Sequence, residues 1–412
     1  MGIGVGVPDA KGIPGPQPAG QRDWVGGGAD DNWNTDDNWQ DPGNGNANDA
    51  PPSGGNASLV FQGETQTSSN NDFGDGYDVA DILFSNDGSL GRTAGFVLDG
   101  NSIDIGSTDG SGGIVSTAAV SDGLAAITDT IALDMELFAS DDIDFEINSN
   151  HHLRVTGIIS DQTASGSGNT NLTGLTKSGA GTLILEGENT YPGVTVVEAG
   201  TLLINGDTSG ATGDVTVALG ATLGGSGTVG GATTINGIHS PGNAAAGVQT
   251  FSNDLTYGGG SSVLWELFAD TTSGRGTSFD GINVGGDLTF ANATTLELDF
   301  SQGNVDWGGS NFWGLYNTRE WRIWNVAGNI NYGPGLGLGD IGISLASSGN
   351  DGQGNAFDPG SNVPSSANFY LFENANGIYL RYEALPEPTT FGLLGLMMAG
   401  LVAFVRPKRK RR

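Results

Sequence analysis

From position 182 onward the chain alternates apolar and polar residues in short runs: TLILE at 182–186, VTVVE at 194–198, TLLIN at 201–205, VTVAL at 215–219, ATL at 221–223 and TTIN at 233–236. A period of two residues, bounded each time by Gly, Asn or Asp, predicts half-buried strands closed by turns. Further runs, IDFEI at 143–147 and LRVTGII at 153–159, extend the pattern upstream. The runs also repeat. VTVVEAGTLLING at 194–206 aligns with VTVALGATLGGSG at 215–227, an offset of 21 residues, and DLTYGGGSSVLWEL at 254–267 aligns with DLTFANATTLELDF at 287–300, an offset of 33.

Repeats of this length, built of strands and turns with no helical periodicity, predict a solenoid. One coil cannot bury its own apolar face, whereas stacked coils share a continuous core and ladder their backbones. The expected fold is all-β, a right-handed parallel β-helix; one or two antiparallel β-sandwiches are the competing arrangement, because strands this closely spaced also suit them. Residues 1–22, rich in Gly and Pro, read as a disordered opening. Residues 23–170 form an N-terminal strand region and 171–303 the repeat region. In 304–384 the character changes. Trp307, Trp313, Trp321 and Trp324 crowd together, and FYLFENANGIYLRYEAL predicts a hairpin turning at Asn376-Gly377. This stretch is expected to be a C-terminal β cap, its tryptophans core; a sugar-stacking platform is the other use for them.

The last segment, 385–412, is LPEPTTFGLLGLMMAGLVAFVRPKRKRR. Its uncharged run 391–405 spans roughly 22 Å as a helix; with Thr389 and Thr390 added and Arg406 snorkelling, 389–405 reaches the lower limit for a bilayer core of about 30 Å. A single transmembrane helix is therefore expected, followed by the basic tail 406–412. Arg406, Lys408, Arg409, Lys410, Arg411 and Arg412 place that end on the cytoplasmic side and everything before it outside.

Charge divides at the same point. Residues 1–384 hold 9 basic and 45 acidic residues, a net of −36, whereas the tail carries 6 basic residues and 1 acidic. The outer part has too few Lys and Arg to neutralise phosphates, so nucleic acid is excluded as its partner. The chain has no cysteine, which removes disulfides and thiolate metal sites and leaves packing and hydrogen bonding to hold the structure.

Chemistry is sparse. A lyase needs a base and cationic groups to neutralise a uronate, yet Lys177 and Arg275 are the only Lys or Arg between 174 and 300. His151 and His152 are adjacent and point to opposite faces of a strand; together with His239 they are read as surface or turn histidines. Asp72, Asp75, Asp78 and Asp81 fall every third residue without the oxygen spacing of an EF-hand loop, and are read as solvated acidic turns. No catalytic residue, cofactor or metal site is assigned.

Two resemblances add to this reading. Pro386-Glu387-Pro388, the apolar span and the basic end resemble, in that order, the PEP-CTERM sorting signal of exported bacterial proteins, over about 7% of the chain. The resemblance implies recognition by an exosortase-type membrane protease, a transient stay in the inner membrane, removal of the tail near the PEP element, and delivery to the cell surface or an exopolysaccharide matrix. An export substrate should also open with a basic and then an apolar region; MGIGVGVPDAKGIPG does not, and the natural start is expected to lie elsewhere. The stretch GLTKSGAGTLILEGENTYPGVTVVEAGTLLING at 174–206 resembles the autotransporter-associated β-strand repeat, which implies a β-helical rod of the kind displayed on bacterial surfaces. Together they imply a non-enzymatic, adhesin-like structural protein; a β-helix carbohydrate-binding protein or a polysaccharide-degrading enzyme is the alternative.

Overall fold

The computed structural model describes residues 20–383 except 43–45, 48, 54–55, 86–91, 107–112, 118–124, 139–141, 162–171, 243, 308–310, 314–316, 347–349, 354–368 and 376. Pro386, Glu387 and Pro388 of the expected sorting signal, the expected span 389–405, the basic tail 406–412 and the opening residues 1–19 lie outside the described residues. Among the described residues no helix is long and apolar enough to cross a membrane. The helical pieces there are 3-10 turns, Asp36–Asn38, Asn311–Trp313 and Leu338–Asp340.

Everything else is strand and turn, and the strands pair in parallel from coil to coil. Thr195–Val197 lies between Leu175–Ser178 and Val215–Val217, which in turn pairs with Thr233–Ile235, then Leu255–Tyr257, Leu288–Phe290 and Ile330–Tyr332. This is the first face of a three-sided solenoid. Next in each coil comes the second face, an 11-stranded sheet from Ser68–Asn71 to Gly342–Leu345. The third face follows it and holds, among others, Asp207–Thr208, Thr228–Val229, Val248–Phe251 and Gly281–Val284. In the N-terminal half the first and third faces merge, because the long strand Tyr77–Phe84 serves both. Its residues 77–79 pair with Ile103–Ile105 and its residues 81–84 with Ile114–Thr117. Parallel pairing over all three faces replaces the sandwich alternative, in which neighbouring strands would be antiparallel.

The repeat offset is 20 residues on the first face, where Thr195 is opposite Val215, and 21 on the second, where Thr201 is opposite Thr222. The single offset of 21 read from the sequence thus hides a corner that is one residue longer in the later coil. The offset of 33 is a true neighbouring pair, Leu255 with Leu288. It is longer because the connection between Ser262–Glu266 and Gly281–Val284, residues 267–280, is longer than residues 242–247, which join the same two faces one coil earlier. The run LRVTGII is not one strand. His151–Val155 lies on the second face and Ile159–Asp161 on the third, with a bend between them.

Alternation fills the interior. Leu183, Leu185, Leu202, Ile204, Val215, Val217 and Ile235 are buried along successive coils, and aromatic rings stack in register where Tyr257, Phe290 and Tyr332 follow one another at 5.3 and 5.8 Å. Coils approach closely at one corner: a Cβ on Gly213 would stand 1.9 Å from the Gly193 carbonyl oxygen, and one on Gly231 1.8 Å from that of Gly213. Side chains there would push the coils apart.

The ends differ from the middle. At the N-terminal end Arg22–Trp24 pairs parallel with Ala57–Phe61 and antiparallel with Trp39–Asp41. Trp24, Trp33 and Trp39 are fully buried, packed edge-to-face on one another and against Phe61. At the other end Phe369–Asn374 and Gly377–Glu383 form an antiparallel hairpin whose second strand pairs antiparallel with Thr318–Val326 and extends the third face.

Candidate functional site

The ionisable groups of most chemical interest lie inside the solenoid. Asp129 and His151 are fully buried and face inward beneath the second sheet, where their strands run in parallel register. The Asp129 carboxylate accepts two hydrogen bonds from Arg92, at 2.9 and 2.8 Å, one from the Phe96 amide at 2.7 Å, and is 2.5 Å from His151 Nε2. Burial alone would raise its pKa, but the hydrogen bonds from His151 and Arg92 outweigh burial and hold it below the usual carboxylate value. His239 is equally buried. Its Nδ1 is 2.7 Å from the Tyr257 hydroxyl and its Nε2 2.9 Å from Gln249 Oε1, while Trp324 Nε1 donates to that same hydroxyl. Burial pushes His239 down to about 4, so it is a neutral member of a closed polar network. The expectation of surface histidines is corrected for both. The alternation that puts Leu153 and Val155 inside also puts His151 inside, two residues earlier.

Lys177 and Arg275 are likewise committed to structure. Lys177 Nζ donates to the carbonyls of Ser178, Gly179 and Ala199 at 2.6, 2.8 and 3.1 Å, so one ammonium clips a corner to the corner of the next coil. Arg275 lies across the third face, donating to the carbonyls of Ile282, Arg322 and Ile323 and to the Asn283 side chain.

Glu266 and Asp280 form a buried acidic pair. Asp280 accepts amide hydrogen bonds from Gly247 and Glu266, both at 3.0 Å, and burial, further supported by the nearby Glu266 charge, pushes it up to about 8. Burial, together with Asp299 opposite it in the ladder, raises Glu266 to about 7. Folded pKa values above the unfolded ones mean that these groups contribute stability in full below the unfolded carboxylate range of about 4, and that it is lost as pH rises through 7 and 8. The thermal midpoint is therefore expected to fall by a few degrees between pH 6.5 and pH 8.5, and Glu266→Gln to flatten that slope. A variant that keeps the wild-type slope would refute the assignment.

Trp313, Trp321 and Trp324 are 1, 0 and 0% exposed. Their indole N–H groups donate to Asp270, to the Thr271 carbonyl and to the Tyr257 hydroxyl. They are core, and a sugar-stacking platform built on them is excluded by burial. Beside them opens a cleft of about 630 Å³ lined by Asp270, Phe312, Thr318, Arg319 and Glu320, among others. The Arg319 guanidinium sits 4.4 Å above the Phe312 ring, Asp270 holds the Trp313 indole, and Glu320 pairs with Arg381. Among the described residues no three His, Cys, Asp or Glu side chains converge closely enough to hold a metal ion; Asp72 instead accepts the Asn34 amide and Asp81 the Ser58 hydroxyl.

Gly179 and Gly200 take φ of +70° and +65° at the same corner of successive coils, and a Cβ on Gly200 would stand 2.4 Å from the Gly181 carbonyl. Asn189 caps the preceding coil by accepting the Ile159 amide at 2.8 Å, and Tyr191 fills the core. Residues 175–204 match the Passenger-associated-transport-repeat family. Within this stretch Lys177 acts as a clip, Gly179 and Gly200 as left-handed corners, and Leu183, Leu185 and Leu202 as core. The chain is also 31% identical over 190 residues to the adhesin BmaC autotransporter of Brucella suis biovar 1 (strain 1330), a match covering 45% of this chain and 5% of that protein. It therefore spans only a small fraction of that relative's length.

Proposed function

We propose that this chain is an exported, adhesin-like structural rod of the bacterial surface or extracellular matrix, sorted and processed through its tail. The observation that carries the reading is the continuous three-sided solenoid whose 175–204 segment matches the Passenger-associated-transport-repeat. The similarity to an autotransporter adhesin supports surface display. The order of Pro386-Glu387-Pro388, apolar span and Arg406 to Arg412 supports passage through the inner membrane and cleavage by an exosortase-type protease. The right-handed crossover preferred between parallel strands supports a right-handed coil. A non-enzymatic role is supported by the commitment of Lys177 and Arg275 to main-chain carbonyls.

The test is the intact mass and location of the protein in an exosortase-competent host, native against Pro386→Ala/Glu387→Ala/Pro388→Ala. The native chain is expected to lose the mass of the tail and leave the inner membrane, while the variant stays whole and membrane-bound. Full-length protein in the membrane in both cases would make the tail a permanent anchor and sink the sorting reading.

A further inference from the structure

The outer side of the second sheet carries two aligned columns of side chains. The first, in parallel register, is Thr182, Thr201, Thr222, Ile238, Ser262 and Thr295. Five of these six positions present a hydroxyl. Two residues further along the strands the second column reads Ile184, Leu203, Gly224, Ser240 and Leu264, with half-buried aliphatic side chains at three of its five positions. At the ladder spacing of about 4.8 Å the hydroxyl column is roughly 24 Å long.

Three properties characterise this strip. Inward hydroxyls are engaged, as Thr195 is with Tyr191, Thr208 with the Thr228 carbonyl and Thr233 with that of Gly231, whereas the five column hydroxyls have no hydrogen-bond partner among the described residues. From Thr182 to Leu264 the two columns carry no charge, in a chain whose first 384 residues have a net charge of −36. The strip is also periodic, with a hydroxyl in five of six coils beside a column that is aliphatic at three of its five positions.

We propose that this strip binds an extended, uncharged polysaccharide laid along the solenoid axis, an inference that rests on the surface-rod reading and names its partner class. A threonine or serine hydroxyl both donates and accepts, which matches sugar hydroxyls. The adjacent Ile184 and Leu203, and Leu264 three coils further on, offer apolar surface to the C–H faces of the rings. A polyanion is repelled by the acidic surroundings. Individually weak contacts repeated at each coil add along a linear polymer, because each contact after the first is intramolecular. The first sheet is the internal control. It carries the column Thr216, Thr234, Thr256 and Thr289, but its strands expose one residue each and provide no apolar lane.

Threonine is also favoured on an outward strand by its β-branch alone, and valine satisfies that preference equally. The experiment uses this. Full-length protein in detergent is co-sedimented with amorphous cellulose and with crosslinked galactomannan and dextran, and with crosslinked alginate as the anionic polymer. Wild type is expected on at least one neutral polymer and not on alginate. Thr182→Val/Thr201→Val/Thr222→Val is expected to weaken that binding at least tenfold at an unchanged thermal midpoint, whereas Thr216→Val/Thr234→Val/Thr256→Val is expected to leave it intact. Equal binding by the second-sheet variant, no retention on any neutral polymer, or retention on alginate alone overturns the proposal. So does inhibition of ice growth without polymer binding, which would make the hydroxyl array a water-ordering surface. The surface-rod reading fails or stands separately, on tail removal and location.

Discussion

Replacing Asp129 by alanine is expected to destabilise the protein by about 3–5 kcal/mol, because it leaves the partner charge of a buried ion pair uncompensated. The Arg92 and Asp129 side chains are 1 and 0% exposed, so the guanidinium stays in the interior having lost both of its bonds to this carboxylate. The Phe96 amide loses its acceptor and His151 its contact with Asp129, and an orphaned buried donor alone costs roughly 1–3 kcal/mol. Replacing both partners, Arg92→Met with Asp129→Leu, is expected to cost much less, since apolar side chains need no acceptor. Urea unfolding of the two variants checks this. An Asp129→Ala cost within about 1 kcal/mol of zero, the range of an exposed pair, would show that the cluster is not a buried unit. The pH sign follows from the depressed Asp129 pKa: its contribution is present above the unfolded carboxylate value and is lost as pH falls through the lower folded one.

The second large effect is expected at the N-terminal end. Trp33→Ala should cost about 3–5 kcal/mol, the range for truncating a buried aromatic residue, but the loss should be local. Trp33 packs against Trp39, Phe61 and Tyr77, and its indole N–H donates to Ser69. In a solenoid each coil contacts only its neighbours, so removing a cap frays one end and leaves the middle stacked. Hydrogen exchange is expected to speed up in Ala57–Phe61 and Ser68–Asn71 while Val215–Val217 and Thr233–Ile235 keep their protection. Uniform loss along the whole chain would mean that the protein unfolds as one unit and that the tryptophans are not a cap.

Much of the repeat region was legible because its first and second faces use strands of three to five residues, most of them alternating inward and outward. TLILE, TLLIN and TTIN lie on the strands Thr182–Leu185, Thr201–Ile204 and Thr233–Ile235. The third face was not legible. Asp207–Thr208 and Thr228–Val229 are two residues long, too short for any periodicity, and are defined only by their partners above and below. LRVTGII misled because apolar character continues through a corner where the chain changes face. The interior polar groups were partly readable: Lys177 follows inward Leu175 by two residues, and His151 precedes inward Leu153 by two. What no local pattern supplies is the partner. Arg92 and Asp129 are 37 residues apart in sequence and His239 reaches Tyr257 across 18, so their pairing exists only once the coils are stacked.

The parallel stacking of coils has a mechanical consequence. Hydrogen bonds between neighbouring coils, such as Thr195 N to the Asp214 carbonyl and Thr233 N to the Asp254 carbonyl, join strands stacked along the rod and so point lengthwise. A pull on the C-terminal end therefore loads them in line and a few at a time instead of shearing a whole sheet. The hairpin strand Gly377–Glu383, paired with Thr318–Val326, meets the force first. Beyond it the rod yields coil by coil, each released turn paying out slack of about 20 residues, as between Thr195 and Val215. A tether built this way absorbs a tug by lengthening in steps while the coils farther from the load stay wound.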